Sequence, residues 1–134
     1  MIFIGLGSNI GNKTANLEMA ISKLAEHGVA TLRRSSFYET APWGNVEQDS
    51  FLNAVIEVYF EGEAPFLLEI CLKVEQEMGR ERKEKWGPRN IDIDMIDFHR
   101  QKIDLPQLQL PHPYYQVRDF VMIPLRELEP DWEV

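Results

Sequence analysis

The hydrophobic pattern of the first 28 residues predicts a strand followed by a helix. Residues 1–6 form a short apolar run, which is typical of a buried strand. A glycine-rich segment over residues 5–11 follows, and we predict a tight turn there. Apolar residues then recur at helical spacing, so that a helix capped by Asn12 or Thr14 should run to Gly28.

The middle of the chain predicts two strands and a second helix. Residues 29–40 are rich in β-branched and aromatic side chains, and residues 51–61 alternate with a period of two. The intervening residues 41–50 carry proline and glycine and predict a loop. Pro65 suits the first turn of a helix whose apolar residues continue at helical spacing until Gly79.

The strictest alternation follows, and it predicts a further strand. Ile91, Ile93 and Met95 fall on one face, and Asp92 and Asp94 fall on the other. Residues two apart on a strand point the same way, with Cα atoms about 6.5–7 Å apart. The two carboxylates could therefore converge on one or two small cations. Taken alone, the pattern favours the alternative of an acidic strand face exposed to water, which is common on half-solvated sheets.

The order of elements predicts the class of fold. After the acidic strand come a turn at residues 99–102, a leucine–proline stretch over 105–113 and an amphipathic segment over 117–128. The preceding order of strand, helix, strand, strand, helix, strand is that of a ferredoxin-like α+β fold. We expect an antiparallel sheet with helices on one face and an additional C-terminal helical segment. The other face would be left for loops and ligands.

Composition and charge narrow the classes of function. A chain of 134 residues predicts one domain over residues 1–134. Its formal net charge of −8 argues against nucleic acid or an anionic membrane as a partner. The single cysteine, Cys71, excludes an internal disulfide and is expected to be a small core residue. No run reaches the length of a membrane helix and no signal peptide is evident, so we expect a cytoplasmic protein. We also expect a monomer.

A basic segment stands directly before the acidic strand. Residues 79–89 contain five basic and two acidic side chains in a chain that is acidic overall. This pattern predicts an anion site beside a cation site, although a solvated charged loop would look the same. Among the basic residues, arginine is the better candidate for phosphate because its planar fork binds two oxygens. Trp86 could belong to a lid over a ligand or pack back onto the domain.

Three further residues are candidates for ligand contacts. Asn53 lies on a mostly apolar strand and offers donors and an acceptor that suit an amide-like heterocycle edge. The nearby Phe51 could cover the face of such a ring. Alternatively, Asn53 satisfies a loop backbone and Phe51 is core. His112, between two prolines, could donate to a phosphate or cap a turn.

These segments together resemble the 6-hydroxymethyl-7,8-dihydropterin pyrophosphokinase family, whose members are early enzymes of folate biosynthesis. The matching segments come in the family's order and cover nearly the whole chain. They are residues 5–9 (GLGSN), 36–40 (SFYET), 51–54 (FLNA), 79–80 (GR), 86–94 (WGPRNIDID), 111–113 (PHP) and 118–120 (RDF).

The resemblance implies an activity, cofactors and a set of site residues. The activity is transfer of a pyrophosphoryl group from ATP to the pterin's hydroxymethyl oxygen, with release of AMP and with two Mg²⁺ ions held by Asp92 and Asp94. Arg80 and Arg89 would hold the polyphosphate as catalytic residues. The implied ATP site comprises Glu75, Arg80, Arg82, Trp86, Arg89, Leu108, His112 and Arg118. The implied pterin site comprises Thr40, Ala41, Trp43 and Asn53 at the ring edge, with Phe51 and Phe120 on the two ring faces.

Two other functions remain open from the sequence. A non-catalytic ligand-binding module could use the same fold, since ferredoxin-like sheets serve many functions. An ordinary kinase would use similar phosphate chemistry but would release ADP. Release of AMP from ATP on addition of hydroxymethyl-dihydropterin distinguishes both alternatives from the activity that the resemblance implies.

Overall fold

The computed structural model describes residues 1–40, 50–79 and 90–134, and these residues contain seven strands and three α-helices. In chain order the elements are β1 (Ile2–Ser8), α1 (Lys13–Glu26), β2 (Ala30–Arg34), β3 (Tyr38–Thr40), β4 (Phe51–Tyr59), α2 (Ala64–Glu77), β5 (Asp92–Phe98), β6 (Ile103–Leu105), β7 (Leu108–Leu110) and α3 (Asp119–Leu128), with a 3₁₀ turn over Tyr115–Val117 directly before α3.

The main sheet has the strand order β2-β4-β1-β5, and every neighbouring pair is antiparallel. Strand β3 pairs with the first residues of β4, Phe51 to Asn53. Strands β6 and β7 form a separate two-stranded hairpin. With α1 and α2 as the two crossovers, this arrangement confirms the predicted ferredoxin-like α+β fold.

Helices α1 and α2 cover one face of the sheet and form the larger hydrophobic core. Leu17 and Leu24 of α1 and Leu67 of α2 are fully buried in this cluster. Cys71 lies in the same cluster, and its burial raises the pKa of the thiol to about 12. Its burial in this cluster confirms Cys71 as a core residue, and the thiol is neutral at physiological pH.

The predicted helix ends are confirmed. The side chain of Asn12 caps α1 by accepting a hydrogen bond of 3.0 Å from the backbone N–H of Ala15. Gly28 and Gly79 follow α1 and α2 with φ angles of +86° and +81°, a region that favours glycine. Pro65 lies in the first turn of α2, as expected.

The opposite face carries a second, smaller core beneath the C-terminal helix. Phe3, Val55 and Ile96 from the sheet pack with a hydrophobic cluster that includes Met122 and Leu125 of α3. The predicted C-terminal helical segment is therefore present, and it covers part of the face that the sequence assigned to loops and ligands. None of the helices in the described part of the chain combines the length and hydrophobicity needed to cross a bilayer.

Two predictions about local structure were wrong. Residues 29–40 form two strands instead of one, because Ser35 interrupts the strand. The N–H of Ser35 donates to the carbonyl of Val55, and the Oγ of Ser35 accepts from the N–H of Val55, each at 2.9 Å. The glycine-rich turn also begins later than predicted. Gly5 and Gly7 lie inside β1 and pair with strands on both sides.

Candidate active site

The two glycines of β1 form a strip without side chains in the middle of the sheet. Gly7 pairs with Asn53 of β4 on one side and with Asp92 of β5 on the other. Two residues earlier, Gly5 pairs with Asp94 of β5. Residues directly opposite each other in a sheet share a face. The amide of Asn53 and the two carboxylates therefore stand on either side of an open floor.

A cavity of about 530 Å³ lies over this floor, on the same side of the sheet as α3. Its far wall is formed by the 3₁₀ turn and the first residues of α3. Eight of the predicted site residues line it: Thr40, Phe51, Asn53, Asp92, Asp94, His112, Arg118 and Phe120.

The β4 end of the cavity is a small polar site between aromatic rings. Asn53 is buried, and its Nδ2 donates a hydrogen bond of 2.8 Å to Oγ1 of Thr40. Its Oδ1 lies beside the backbone of Gly7. Phe51 on β4 and Phe120 on α3 line the same cavity. This end therefore offers hydrogen bonds to the edge of a flat heterocycle and apolar surface to its faces.

The β5 end of the cavity carries the two carboxylates. Asp92 is half-buried and Asp94 is exposed, and both line the cavity. Within residues 1–40, 50–79 and 90–134, no group of three or more His, Cys, Asp or Glu side chains could hold a metal ion. Two carboxylates with positions left for water and phosphate oxygens are, however, a donor set that suits Mg²⁺. The residues present therefore fit that metal.

The far wall contributes positive charge and a fixed histidine. The backbone N–H of His112 donates to the carbonyl of Ile96 at 2.9 Å, which attaches the wall to β5, the last strand in the order given above. Its ring Nδ1 lies 2.6 Å from the carbonyl oxygen of Pro113, which can only accept, so this contact fixes the orientation of the ring. Arg118 precedes α3, with its guanidinium carbon 5.6 Å from the ring centroid of Phe120.

Two further predicted site residues, Glu75 and Leu108, lie in the described part of the chain but are not among the residues that line the cavity. Glu75 is buried on α2, where its Oε2 accepts a hydrogen bond of 2.9 Å from the backbone N–H of Ile93. Leu108 is buried in the larger core. Their assignment to the ATP site stays a prediction. The others lie outside the described residues: Ala41, Trp43, Arg80, Arg82, Trp86 and Arg89.

Several residues of the cavity were missed by the sequence analysis. Gly5 and Gly7 form its floor, and Tyr115, Val117 and Asp119 belong to its wall. The glycines had a signal in the sequence, since Phe3, Gly5 and Gly7 follow a period of two. Glycine in a strand interior often marks the close approach of a ligand. The wall residues had none, because their position depends on how α3 packs.

The fold and the cavity together define a ferredoxin-like α+β protein with a candidate ligand site on the face of the sheet that also carries α3. Residues 3–130 match the model of the 7,8-dihydro-6-hydroxymethylpterin-pyrophosphokinase family. The chain belongs to this family, and it is accordingly an enzyme of the pyrophosphokinase class.

Similar proteins agree with this assignment. The chain is 44% identical over 130 residues to the 2-amino-4-hydroxy-6-hydroxymethyldihydropteridine pyrophosphokinase of Methylorubrum extorquens, covering 96% of this chain and 82% of that protein. It is 41% identical to the Bacillus subtilis protein of the same name, covering 94% and 76% of the two chains. It is 37% identical to the folate synthesis bifunctional protein of Arabidopsis thaliana, covering 95% of this chain and 26% of that one.

A solved structure supports the fold independently. A crystal structure described as HPPK-DHPS in complex with substrates superposes with a TM-score of 0.72, covering 98% of this chain and 40% of that one. The sequence identity is 13%, so this likeness concerns the fold alone.

Proposed function

We propose that this protein transfers the pyrophosphoryl group of ATP to the hydroxymethyl group of 6-hydroxymethyl-7,8-dihydropterin, releases AMP, requires Mg²⁺ and acts in folate biosynthesis. The family match and the names of the relatives support this substrate. The main observation in support of the proposal is that one cavity is lined at one end by an amide and two phenylalanines and at the other end by a pair of carboxylates. These residues are Asn53, Phe51, Phe120, Asp92 and Asp94.

The pterin would occupy the β4 end of the cavity. Its ring edge carries donors and acceptors that match the side chains of Asn53 and Thr40, which the structure holds together by their mutual hydrogen bond. Phe51 and Phe120 would contact the two ring faces. The hydroxymethyl group would then point along the glycine floor towards Asp92 and Asp94. We propose that Ala41 and Trp43 complete this pocket, as the resemblance implies.

The triphosphate of ATP would occupy the β5 end and the wall. His112 and Arg118 line the cavity there and would contact phosphate oxygens, a task for which a guanidinium fork is well suited. Two Mg²⁺ ions held by Asp92 and Asp94 would, when bound, neutralise phosphate charge and acidify the attacking hydroxyl.

The basic segment before β5 would complete the phosphate site. We propose, from the sequence resemblance, that Arg80 and Arg89 also hold the polyphosphate. Arg82, Trp86, Glu75 and Leu108 would contribute to the ATP site on the same basis.

The chemical step follows from this placement. The hydroxymethyl oxygen attacks the β-phosphorus, the bond from that phosphorus to the α,β-bridging oxygen breaks, and AMP leaves with that oxygen. The hydroxyl proton is released to solvent. The protein's contribution is therefore to orient the two substrates and to neutralise charge, as in other phosphoryl transfers.

We further propose that the protein is a single domain over residues 1–134 and works as a monomer. A cytoplasmic location would suit its use of ATP.

The test is identification of the nucleotide product. The protein is incubated with MgATP in the presence and absence of 6-hydroxymethyl-7,8-dihydropterin, and nucleotides are separated by chromatography. We expect AMP to form only with the pterin, in a one-to-one ratio with the diphosphorylated pterin. ADP as the product would indicate an ordinary kinase, and no nucleotide turnover would indicate a binding module.

Substitution of the carboxylates tests their assignment in the same assay. Asp92→Asn and Asp94→Asn keep the side-chain size, and each should lower kcat on the order of a hundredfold or more, because charge stabilisation of the transition state is lost. Asp104→Asn is the matched control, since Asp104 is an exposed aspartate on the β6–β7 hairpin. Turnover near the wild-type rate in either cavity variant would refute the metal assignment.

A further inference from the structure

A tryptophan beyond the last helix is buried against the back of the cavity wall. Trp132 is 5% exposed, although Asp131 and Glu133 on either side of it are exposed. Its ring meets the ring of Phe3 edge-on, with centroids 5.3 Å apart. The guanidinium carbon of Arg100 lies 3.5 Å from its ring centroid. These contacts leave the indole with one defined position.

The indole N–H is directed to a residue of the cavity wall. Nε1 of Trp132 donates a hydrogen bond of 3.1 Å to the hydroxyl oxygen of Tyr115, and both groups are buried. Tyr115 lines the cavity and is the first residue of the 3₁₀ turn. A buried hydrogen bond between two otherwise apolar rings holds them in one relative orientation.

Tyr115 is bonded through its backbone to both wall residues assigned to phosphate. Its N–H donates to the carbonyl of His112 at 3.3 Å, and its carbonyl accepts from the N–H of Arg118 at 3.1 Å. The preceding residue, Tyr114, has a φ angle of +67°, a region that disfavours residues with a Cβ. The turn therefore adopts an unfavourable local conformation, and contacts from outside it must compensate.

We infer that Trp132 is a positioning residue, which holds Tyr115 and through it sets the placement of His112 and Arg118 for the nucleotide. The inference rests on the proposed function for the identity of that ligand. Trp132 itself does not line the cavity; it acts on nucleotide binding only through the turn.

The test compares two single variants and their combination. Trp132→Phe keeps a ring against Phe3 but removes the indole donor, and Tyr115→Phe removes the hydroxyl acceptor. Each should raise the KM for MgATP about three- to tenfold, the range expected for loss of one hydrogen bond, and leave kcat within about twofold. The KM of the double variant for MgATP should be no higher than that of the more affected single variant, because the two substitutions remove the same hydrogen bond.

Two control variants separate positioning from loss of stability. Val58→Ala creates a cavity in the larger core on the helix side of the sheet, and should lower the melting temperature without changing the KM for MgATP. Tyr59→Phe removes an exposed tyrosine hydroxyl that bonds only Glu61 among the described contacts, and should change neither quantity. If Trp132→Phe and Tyr115→Phe behaved like Val58→Ala, or if their effects on KM were additive, the inference would be wrong.

Hydrogen exchange tests the inference independently of turnover. In Trp132→Phe we expect faster amide exchange confined to residues 112–121, and the same change in Tyr115→Phe. If the wild-type protein failed to release AMP, the proposed function would fail, yet this exchange pattern would still support the role of Trp132. Unchanged exchange in this segment would overturn that role whatever the activity.

Discussion

At the scale of single residues, Gly7 places the tightest constraint on the cavity floor. A Cβ at this position would lie 3.1 Å from Oδ1 of Asn53, whose Nδ2 is committed to Thr40. We predict that Gly7→Ala displaces the amide and raises the KM for the pterin about tenfold, because one or two hydrogen bonds to the ring edge are weakened. The KM for MgATP should change less.

Gly5→Ala is the matched control for this prediction, because it adds the same atom on the same face of β1. Its Cβ would lie 3.3 Å from Cδ1 of Ile96, the far end of a flexible side chain that can yield. Steady-state kinetics with each substrate varied in turn make the comparison. Equal effects of the two substitutions on the KM for the pterin would contradict the account of Gly7.

Eight side chains that line the cavity were among the candidates proposed from the sequence, whereas the two glycines of its floor were not. Asp92 and Asp94 alternate with apolar residues, and Asn53 interrupts an apolar strand, so each departs visibly from its surroundings. Gly5 and Gly7 were assigned to a turn because glycine usually marks one. In the structure, hydrogen bonds from β4 and β5 on both sides outweigh the weak strand propensity of glycine.

At the scale of elements, Glu75 joins α2 to the strand that carries the carboxylates. Its buried carboxylate accepts from the N–H of Ile93, the residue between Asp92 and Asp94. We predict that Glu75→Leu lowers the free energy of unfolding by about 1–3 kcal/mol, because a buried backbone donor loses its partner. Glu75→Gln keeps an acceptor oxygen at that position and should cost less. Denaturant unfolding of the two variants tests this prediction. An equal loss of unfolding free energy in both would show that the hydrogen bond from Ile93 does not account for the effect.

Helix α3 is attached to the edge of the sheet through Glu127. Its carboxylate accepts hydrogen bonds from the hydroxyl of Tyr38 and from the N–H of Ser36, the latter at 2.9 Å. The bond from Tyr38 is the main cause that lowers the pKa of Glu127 below its ordinary value of 4.5. Because the folded-state pKa is depressed, the resulting stability is fully present above the unfolded-state pKa and is lost as pH falls through the folded-state value.

We therefore predict that Glu127→Gln flattens the acid side of the stability profile. Wild-type melting temperatures measured from about pH 7 down to about pH 3 should fall more steeply below pH 4.5 than those of the variant. Glu39→Gln, at an exposed glutamate on β3, is the control and should keep the wild-type slope. A profile for Glu127→Gln that parallels the wild type would refute this role.

Element boundaries were predicted best where a local signal exists. Asn12, one of the two cap residues proposed from the sequence, caps α1 through its side chain, and Gly28 and Gly79 follow α1 and α2 at positive φ, as predicted. The break at Ser35 and the bulge at Ile96 depend instead on pairing with neighbouring strands. Met95 and Ile96 face opposite cores by ordinary alternation, but Phe98, three residues after Met95, lies in the same core as Met95 because the register of β5 against β1 shifts between them. The sequence of β5 contains no pattern that predicts this register shift.

At the scale of the whole molecule, the two faces of the sheet have different tasks. The face under α1 and α2 is a continuous hydrophobic core, whereas α3 packs on part of the opposite face. Among the described residues, the cavity lies on that opposite face beside α3. The order of elements predicted the sheet and its helices, but the division of the second face depends on the packing of α3 and on strand register. Sequence periodicity contains neither.

The central claim is that the protein transfers the β- and γ-phosphates of ATP to the pterin together. The most direct test follows an isotope on the β-phosphorus into the products. ATP labelled at the β-phosphorus is incubated with the protein, Mg²⁺ and 6-hydroxymethyl-7,8-dihydropterin, and the pterin and nucleotide products are separated. The account predicts the label on the pterin product, with unlabelled AMP, and transfer slower by on the order of a hundredfold or more with Asp92→Asn or Asp94→Asn. Label retained in ADP beside an unlabelled phosphorylated pterin would contradict it.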